Sequence, residues 1–210
     1  MKRPSFILLV VLKITSNSLC AQEMAPLANH SEFTVKLKEA SQLTNSIVAD
    51  FVEEKYASYL KEPQKSIGIF YYKKANKLRW EKIKPVKYIF ISNEDKIKIQ
   101  DNGKDVNVSS ASQVASRIKE LMLTLVNGDY NSKNVFTPSY FETTDSYFVK
   151  LIPKNKKLGN LYTYIQLSFS KKTLLLQELA FYEKSGDKSI MTFSNAKTNQ
   201  VIPDSIFTNF

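Results

Sequence analysis

Few residues of this chain have the chemistry that catalysis requires. The 210 residues include one histidine, His30, and one cysteine, Cys20, too few for a metal site built on these ligands. The sequence also contains no glycine-rich phosphate loop and no Gly-x-Ser-x-Gly turn. The acidic pairs Glu53–Glu54 and Glu94–Asp95 are typical of solvated faces and turns. We therefore predict that the protein is not an enzyme and uses no cofactor or metal.

The segment 68–92, GIFYYKKANKLRWEKIKPVKYIFIS, mixes aromatic and basic residues and contains the only tryptophan. Such a segment could bind nucleic acid, lie on a membrane or form two strands of a sheet. Leu78 and Trp80 alternate with Arg79 and Glu81, so in a strand the two pairs leave opposite faces. A nucleic-acid site would instead place its aromatic and basic side chains together. The alternation favours a sheet and predicts no nucleic-acid binding.

The first residues have the order of a secretory signal peptide. Lys2 and Arg3 precede a short apolar run at 6–12, and small residues follow near Cys20 and Ala21. The run is too short to span a bilayer, which needs about 20 apolar residues. We predict that residues 1–21 are cleaved after export. Acylation of Cys20 is the alternative, although Leu19 is not the small residue that this modification prefers.

The remaining residues, 22–210, are predicted to form a single domain. The chain is 43% hydrophobic, enough for one substantial core, and cleavage would leave no cysteine to form a disulfide. The formal net charge of +10 falls to +7 without the leader. Because an exported protein meets no chromosome, transient contact with an anionic membrane surface is the expected use of this charge, beside a merely soluble lysine-rich surface.

Strand patterns dominate the rest of the sequence. Ile97 and Ile99 alternate with lysines, and Phe51 lies on the inward side of an earlier alternating segment. Behind Ser31, the spacing of Phe33, Leu37 and Ala40 predicts a helix over 31–42. We predict strands from 47 onward and at 67–73, 77–82, 86–92, 96–100, 146–152, 162–169, 173–183 and 188–195.

A second helix interrupts the strands, with one apolar stripe ending before Gly128. The stripe is formed by Val114, Ile118, Leu121, Met122 and Leu125. The fold class is therefore mainly β (α+β), a curved antiparallel sheet or open barrel with one interrupting helix pair.

The order of several short motifs resembles the periplasmic outer-membrane lipoprotein carriers of the LolA type. These are ADFVEE, then Gly68 followed by FYYKK, Leu78-Arg79-Trp80-Glu81, YIFISNEDKIKIQD, LMLTLVNGD, YFVKLIP and the closing FSNAKTNQVIPDSIF. The resemblance covers roughly residues 33–207. It implies an unclosed antiparallel β-barrel whose apolar concave face is covered by a helical lid. On this resemblance we expect the apolar stripe of the helix 114–125 to be the lid that closes over the sheet.

The resemblance also implies a function. Such a carrier receives acylated lipoproteins from an inner-membrane lipoprotein-releasing transporter, shelters their acyl chains, and delivers them to an outer-membrane acceptor. It acts in the periplasm, and we expect a monomer. Leu78 and Trp80 match the positions of cavity-facing residues in this family. With the inward-facing residues they give the predicted ligand cavity: Phe51, Leu78, Trp80, Ile97, Ile99, Ile118, Leu121, Met122 and Leu125.

A lid latch is the last implication of the resemblance. Lys74 matches the basic turn residue that hydrogen-bonds the lid in this family, where arginine is usual and proline follows; here Ala75 follows. Lysine lacks the five-donor fork of arginine, so the latch is expected to be looser, or to be made by Arg79.

Three alternatives stay open from the sequence. One is a periplasmic module that binds or transports another envelope lipid or acylated molecule. The second is an enzyme on a similar sheet, for which no convergent polar cluster is found. The third is an outer-membrane barrel ending in Phe210, which Pro203, Asp204 and the helix 114–125 disfavour.

Overall fold

The computed structural model describes residues 24–107, 119–120, 122–123, 135–154 and 156–210. The elements are β1 (Ala25–Pro26), α1 (His30–Leu43), β2 (Ser46–Tyr56), β3 (Gln64–Lys73), β4 (Lys77–Lys84), β5 (Tyr88–Asn93), β6 (Lys96–Asp101), β7 (Lys104–Asp105), β8 (Phe136–Glu142), β9 (Ser146–Pro153), α2 (Lys156–Gly159), β10 (Tyr162–Ser170), β11 (Leu176–Glu183), β12 (Lys188–Thr198) and a 3-10 helix (Asp204–Phe207).

All twelve strands of the described residues belong to one antiparallel sheet. Its order is β1-β8-β9-β10-β11-β12-β2-β3-β4-β5-β6-β7, so the chain's first long strand pairs with its last. Within the described residues β1 and β7 end the sheet without pairing to each other, which leaves it unclosed. The predicted unclosed antiparallel sheet is thus confirmed.

Alternation of side chains divides the sheet into two faces. Leu78 and Trp80 point to the side that we call the inner face, together with Phe90 on the neighbouring strand. Arg79 and Ile91 point to the opposite side, the outer face. The inner face carries the main apolar core, in which Leu78, Phe90 and Ile99 pack together with side chains from β8 to β12.

Helix α1 packs on the inner face through one apolar stripe. Phe33 and Leu37, one turn apart, are almost fully buried in the main core. Asn29, rather than the predicted Ser31, caps the helix by accepting a hydrogen bond from the Glu32 backbone N–H at 3.3 Å. The helix therefore begins slightly earlier than the pattern predicts.

The C-terminal segment, residues 202–210, covers the outer face of β4, β5 and β6. Ile202 and Phe207 pack against Ile89 and Ile91, and all four side chains are buried. Arg79 adds two hydrogen bonds to backbone carbonyls of this segment. The end of the chain is therefore part of the folded structure.

Several strands differ from the predictions, two of them clearly. The strand β8 (Phe136–Glu142) was not predicted, and β11 begins at Leu176 instead of residue 173. Leu174 adopts a φ of +56°, in the left-handed region, so the predicted strand cannot extend through it. The predicted signal peptide and most of the predicted helix 114–125 lie outside the described residues, although residues 119–120 and 122–123 are helical.

None of the described helices is both long enough and apolar enough to cross a bilayer. Within the same part of the chain, no group of three His, Cys, Asp or Glu side chains could hold a metal ion.

Candidate functional site

A cavity of about 360 Å³ lies between α1 and the inner face. The helix contributes Leu37 and Ala40, and β2, β3 and β12 contribute Ile47, Phe70 and Phe193. The remaining walls come from β10, β11, the turn between them and Met122. This volume is within the range of small-molecule sites.

The cavity lining is apolar in character. Among the described residues that line it, none carries a charge. Two of its hydroxyls are already bonded within α1 and its cap, since Ser41 donates to the carbonyl of Lys38 and Thr44 donates to the carbonyl of Ala40. Such a lining accepts a hydrocarbon and makes the burial of an ionised group costly.

Burial also keeps the neighbouring phenols neutral. It raises the pKa of Tyr72 on β3 and of Tyr140 on β8. A phenol whose pKa lies above its ordinary value of 10.0 stays protonated throughout the physiological range. His30, at the start of α1, stacks on the Tyr140 ring with centroids 5.0 Å apart. The His30–Tyr140 stack packs the start of α1 against β8.

The turn between β10 and β11 forms one side of the cavity with a run of leucines. Leu174, Leu175 and Leu176 are half-buried and line the cavity. The Leu174 backbone N–H bonds to the Ser170 carbonyl at 2.8 Å, which holds the turn in shape. Three successive leucines break the alternation of a strand, and this is the signal by which the sequence could have revealed the turn.

The end of α1 is held by contacts from two distant parts of the chain. Lys74 donates through its ammonium group to the carbonyl of Gln42, in the last turn of the helix. Asn199 bonds on both sides of the helix end: its amide donates to the Leu43 carbonyl, and its oxygen accepts from the Asn45 N–H at 2.7 Å. The helix that covers the cavity is therefore fixed at its C-terminal end.

The predicted cavity residues separate into three groups. Met122 lines the cavity. Five others lie on the inner face but outside the lining, in or against the adjoining core: Phe51, Leu78, Trp80, Ile97 and Ile99. Ile118, Leu121 and Leu125 lie outside the described residues. Alternation placed these residues on the face that carries the cavity but could not locate the cavity along it, and it did not indicate the lining residues Leu37, Phe70 and Phe193.

The two predicted latch residues contact different elements. Lys74 bonds to α1, which was not the helix predicted as the lid. Arg79 lies on the outer face, where its described partners are Glu81 and the C-terminal segment. Its role as a substitute latch stays a prediction. Lys119, in the described part of the predicted helix 114–125, donates to the carbonyl of Glu94 in the turn between β5 and β6. Sequence reasoning missed this contact.

Comparison with known proteins gives consistent similarities. The family model described as outer membrane lipoprotein carrier protein LolA matches residues 42–209. An outer-membrane lipoprotein carrier protein from Methylococcus capsulatus is 24% identical over 206 residues, which cover 97% of this chain and 93% of the relative. A protein of the same description from Dechloromonas aromatica is 27% identical over 199 residues, with coverage of 94% and 92%. The solved structure of a LolA superfamily protein from Nitrosomonas europaea has a TM-score of 0.43 at 14% identity, covering 85% of this chain and 97% of the other.

Proposed function

The chain belongs to the outer membrane lipoprotein carrier protein family, LolA, and we propose that it carries lipoproteins through the periplasm. It would shelter their acyl chains and take them from the inner to the outer membrane. The observation that carries this proposal is the uncharged cavity of about 360 Å³ beneath α1. Each methylene group removed from water contributes about 0.8 kcal/mol, so an apolar cavity suffices to hold an acyl chain.

Loading requires that the covering helix move. The bonds from Lys74 and Asn199 fix the C-terminal end of α1, while Phe33 and Leu37 attach its face to the core. We expect α1 to move together with the helix containing Met122, because both line the cavity. Local opening of such elements costs less than global unfolding, which allows ligand uptake and release.

The proposed pathway includes export and two transfer partners. Residues 1–21 would direct export and be removed, leaving the single domain 22–210 in the periplasm. An inner-membrane lipoprotein-releasing transporter would supply the cargo, and an outer-membrane acceptor would receive it. The carrier would act as a monomer and touch membranes only transiently.

The test combines cargo identification with a blocked cavity. The protein would be purified from the periplasm, and co-purifying lipids and lipoproteins identified by mass spectrometry. The variant Ala40→Phe places a large ring into the cavity lining and should displace the cargo. The control is Val35→Phe on the same helix, where the side chain is 56% exposed and does not line the cavity.

Co-purified lipoproteins that are lost from Ala40→Phe but retained by Val35→Phe would support the proposal. Recovery of another envelope lipid alone would favour the alternative of a carrier for that lipid. If the unaltered protein co-purified with neither lipoproteins nor another lipid, an apolar-carrier function would be contradicted.

A further inference from the structure

The indole nitrogen of Trp80 is a buried hydrogen-bond donor that has no partner among the described residues. The ring lies on the inner face of β4 and meets Phe51 edge-to-face, with ring centroids 5.7 Å apart. In the sheet register it lies between Phe70 and Phe90 on the two neighbouring strands. The side chains next to Trp80 in the register are therefore aromatic, and they offer no conventional acceptor.

A buried indole N–H usually finds an acceptor, because leaving it unpaired forfeits the bond it made with water. The few unpaired polar groups in native proteins need an explanation, such as a ligand that is absent. A functional role for this N–H group would supply that explanation.

Trp80 lies outside the cavity lining and adjoins it through two lining residues. Its direct cross-strand neighbour Phe70 lines the cavity, and so does Phe193, which packs in the same apolar cluster. Leu123 packs there as well, and it follows Met122, another lining residue. Because Nε1 is buried, a chain-like ligand that extends past Phe70 would reach the indole edge only if residues 122–123 moved aside.

The chemistry of the indole limits what it can recognise. It donates one hydrogen bond and accepts none, so its partner must be an acceptor. Surrounding phenyl rings disfavour an ionised carboxylate. The neutral acceptors of an acylated molecule are the carbonyl oxygens of its ester or amide linkages.

We propose that Trp80 is a specificity-determining residue that donates from Nε1 to a carbonyl oxygen of the bound acyl group. This inference rests on the proposed function and deepens it, since it separates acyl-linked ligands from plain hydrocarbon or ether-linked ones. The cavity supplies affinity for the chain, and Trp80 supplies recognition of the linkage.

The first experiment compares dioctanoylglycerol with the corresponding dioctyl ether, which lacks both carbonyl oxygens. Calorimetry on the full mature chain should show the ester binding roughly fivefold more tightly, as one net hydrogen bond predicts. In Trp80→Phe, which removes the N–H and keeps an aromatic ring, the ratio of the two affinities should fall to about one. Ser92→Ala is the control: its hydroxyl is also buried and unpartnered among the described residues, but Ser92 lies opposite Leu78, away from the cavity lining.

A second experiment uses the unaltered protein, in case Trp80→Phe does not fold. The chain has a single tryptophan and therefore a single indole N–H signal in a nitrogen-15 NMR spectrum. Binding of the ester should move the indole N–H signal downfield, because the proton gains an acceptor. Binding of the ether should leave the signal at a higher field. Equal shifts, an ester-to-ether ratio of one in the unaltered protein, or loss of the ratio in Ser92→Ala as well would overturn the inference while leaving the carrier function intact. Binding of neither compound would overturn both.

Discussion

The guanidinium group of Arg79 donates a hydrogen bond of 2.6 Å to the carbonyl oxygen of Asn209, near the C-terminus. A second bond of 3.1 Å reaches the Ile206 carbonyl, and the Glu81 carboxylate pairs with the same guanidinium at 2.7 Å. The Arg79 side chain is 8% exposed. One buried cation thus joins the middle of the sheet to the end of the chain.

Replacing Arg79 with Met should destabilise the protein by about 3 kcal/mol, because Glu81 is left largely buried without its partner. Urea unfolding followed by circular dichroism measures this change. The control is Lys98→Met, which removes an exposed bond to the Thr208 carbonyl and should cost less than about 1 kcal/mol. Equal losses in the two variants would mean that the burial of Arg79 is unimportant.

Replacing Lys74 with Met should loosen α1. Loss of one hydrogen bond to the Gln42 carbonyl, with a net contribution near 1 kcal/mol, should speed exchange of the α1 amides roughly fivefold. Hydrogen exchange on the ligand-free protein measures this, with β10 as the internal reference. Lys73→Met is the matched control, because Lys73 bonds to Ile202 and Asp204 on the C-terminal segment. It should leave α1 exchange unchanged; faster α1 exchange in both variants would refute a specific role for Lys74.

Replacing Gly68 with Ala should destabilise the sheet by about 3 kcal/mol. A methyl group there would lie 2.1 Å from the Glu81 carbonyl oxygen and 2.5 Å from Cζ of Phe51, so strands or rings must move. At Gly103 a methyl group meets nothing within 4 Å, but φ is +76°, and Gly103→Ala should cost only about 1 kcal/mol. Thermal unfolding of both variants separates steric crowding from backbone strain. A larger loss at Gly103 would contradict the packing described for Gly68.

Replacing Glu178 with Gln should stabilise the protein at neutral pH. Burial raises the pKa of Glu178 above its ordinary value of 4.5, and Lys188 only partly opposes this. Because the folded pKa is the higher one, ionisation costs stability at pH values above it, and this cost disappears below pH 4.5. The melting temperature of Glu178→Gln should therefore exceed that of the unaltered protein at pH 7, and the difference should shrink as the pH falls towards 4. A melting-temperature difference that grows as the pH falls would contradict the raised pKa of Glu178.

The strands were predictable where alternation was regular. Ile97 and Ile99 alternate with lysines, and β6 (Lys96–Asp101) matches that pattern. Strand β8 was not predictable in the same way, because Pro138 lies within it and proline argues against a strand interior. The neighbouring β1 is only two residues long, so β8 lies close to the edge, where proline is tolerated.

The position of the cavity was not predictable from alternation. Leu78 shares the inner face with Phe70 and Phe193, yet Leu78 is completely buried in the core while the other two line the cavity. Which positions lie beneath a helix depends on where α1 crosses the sheet. That crossing is fixed by contacts such as Asn45 with Asn199, separated by 154 residues, and no local pattern contains such information.

The pairing of β2 with β12 has a consequence for the order of synthesis. A ribosome makes α1 and β2 long before Phe193, Ala196 and the helix-fixing Asn199. One wall of the cavity is therefore absent until these residues have been added, however well the earlier strands have paired. A chain that stopped before β12 would have the covering helix but no closed cavity beneath it.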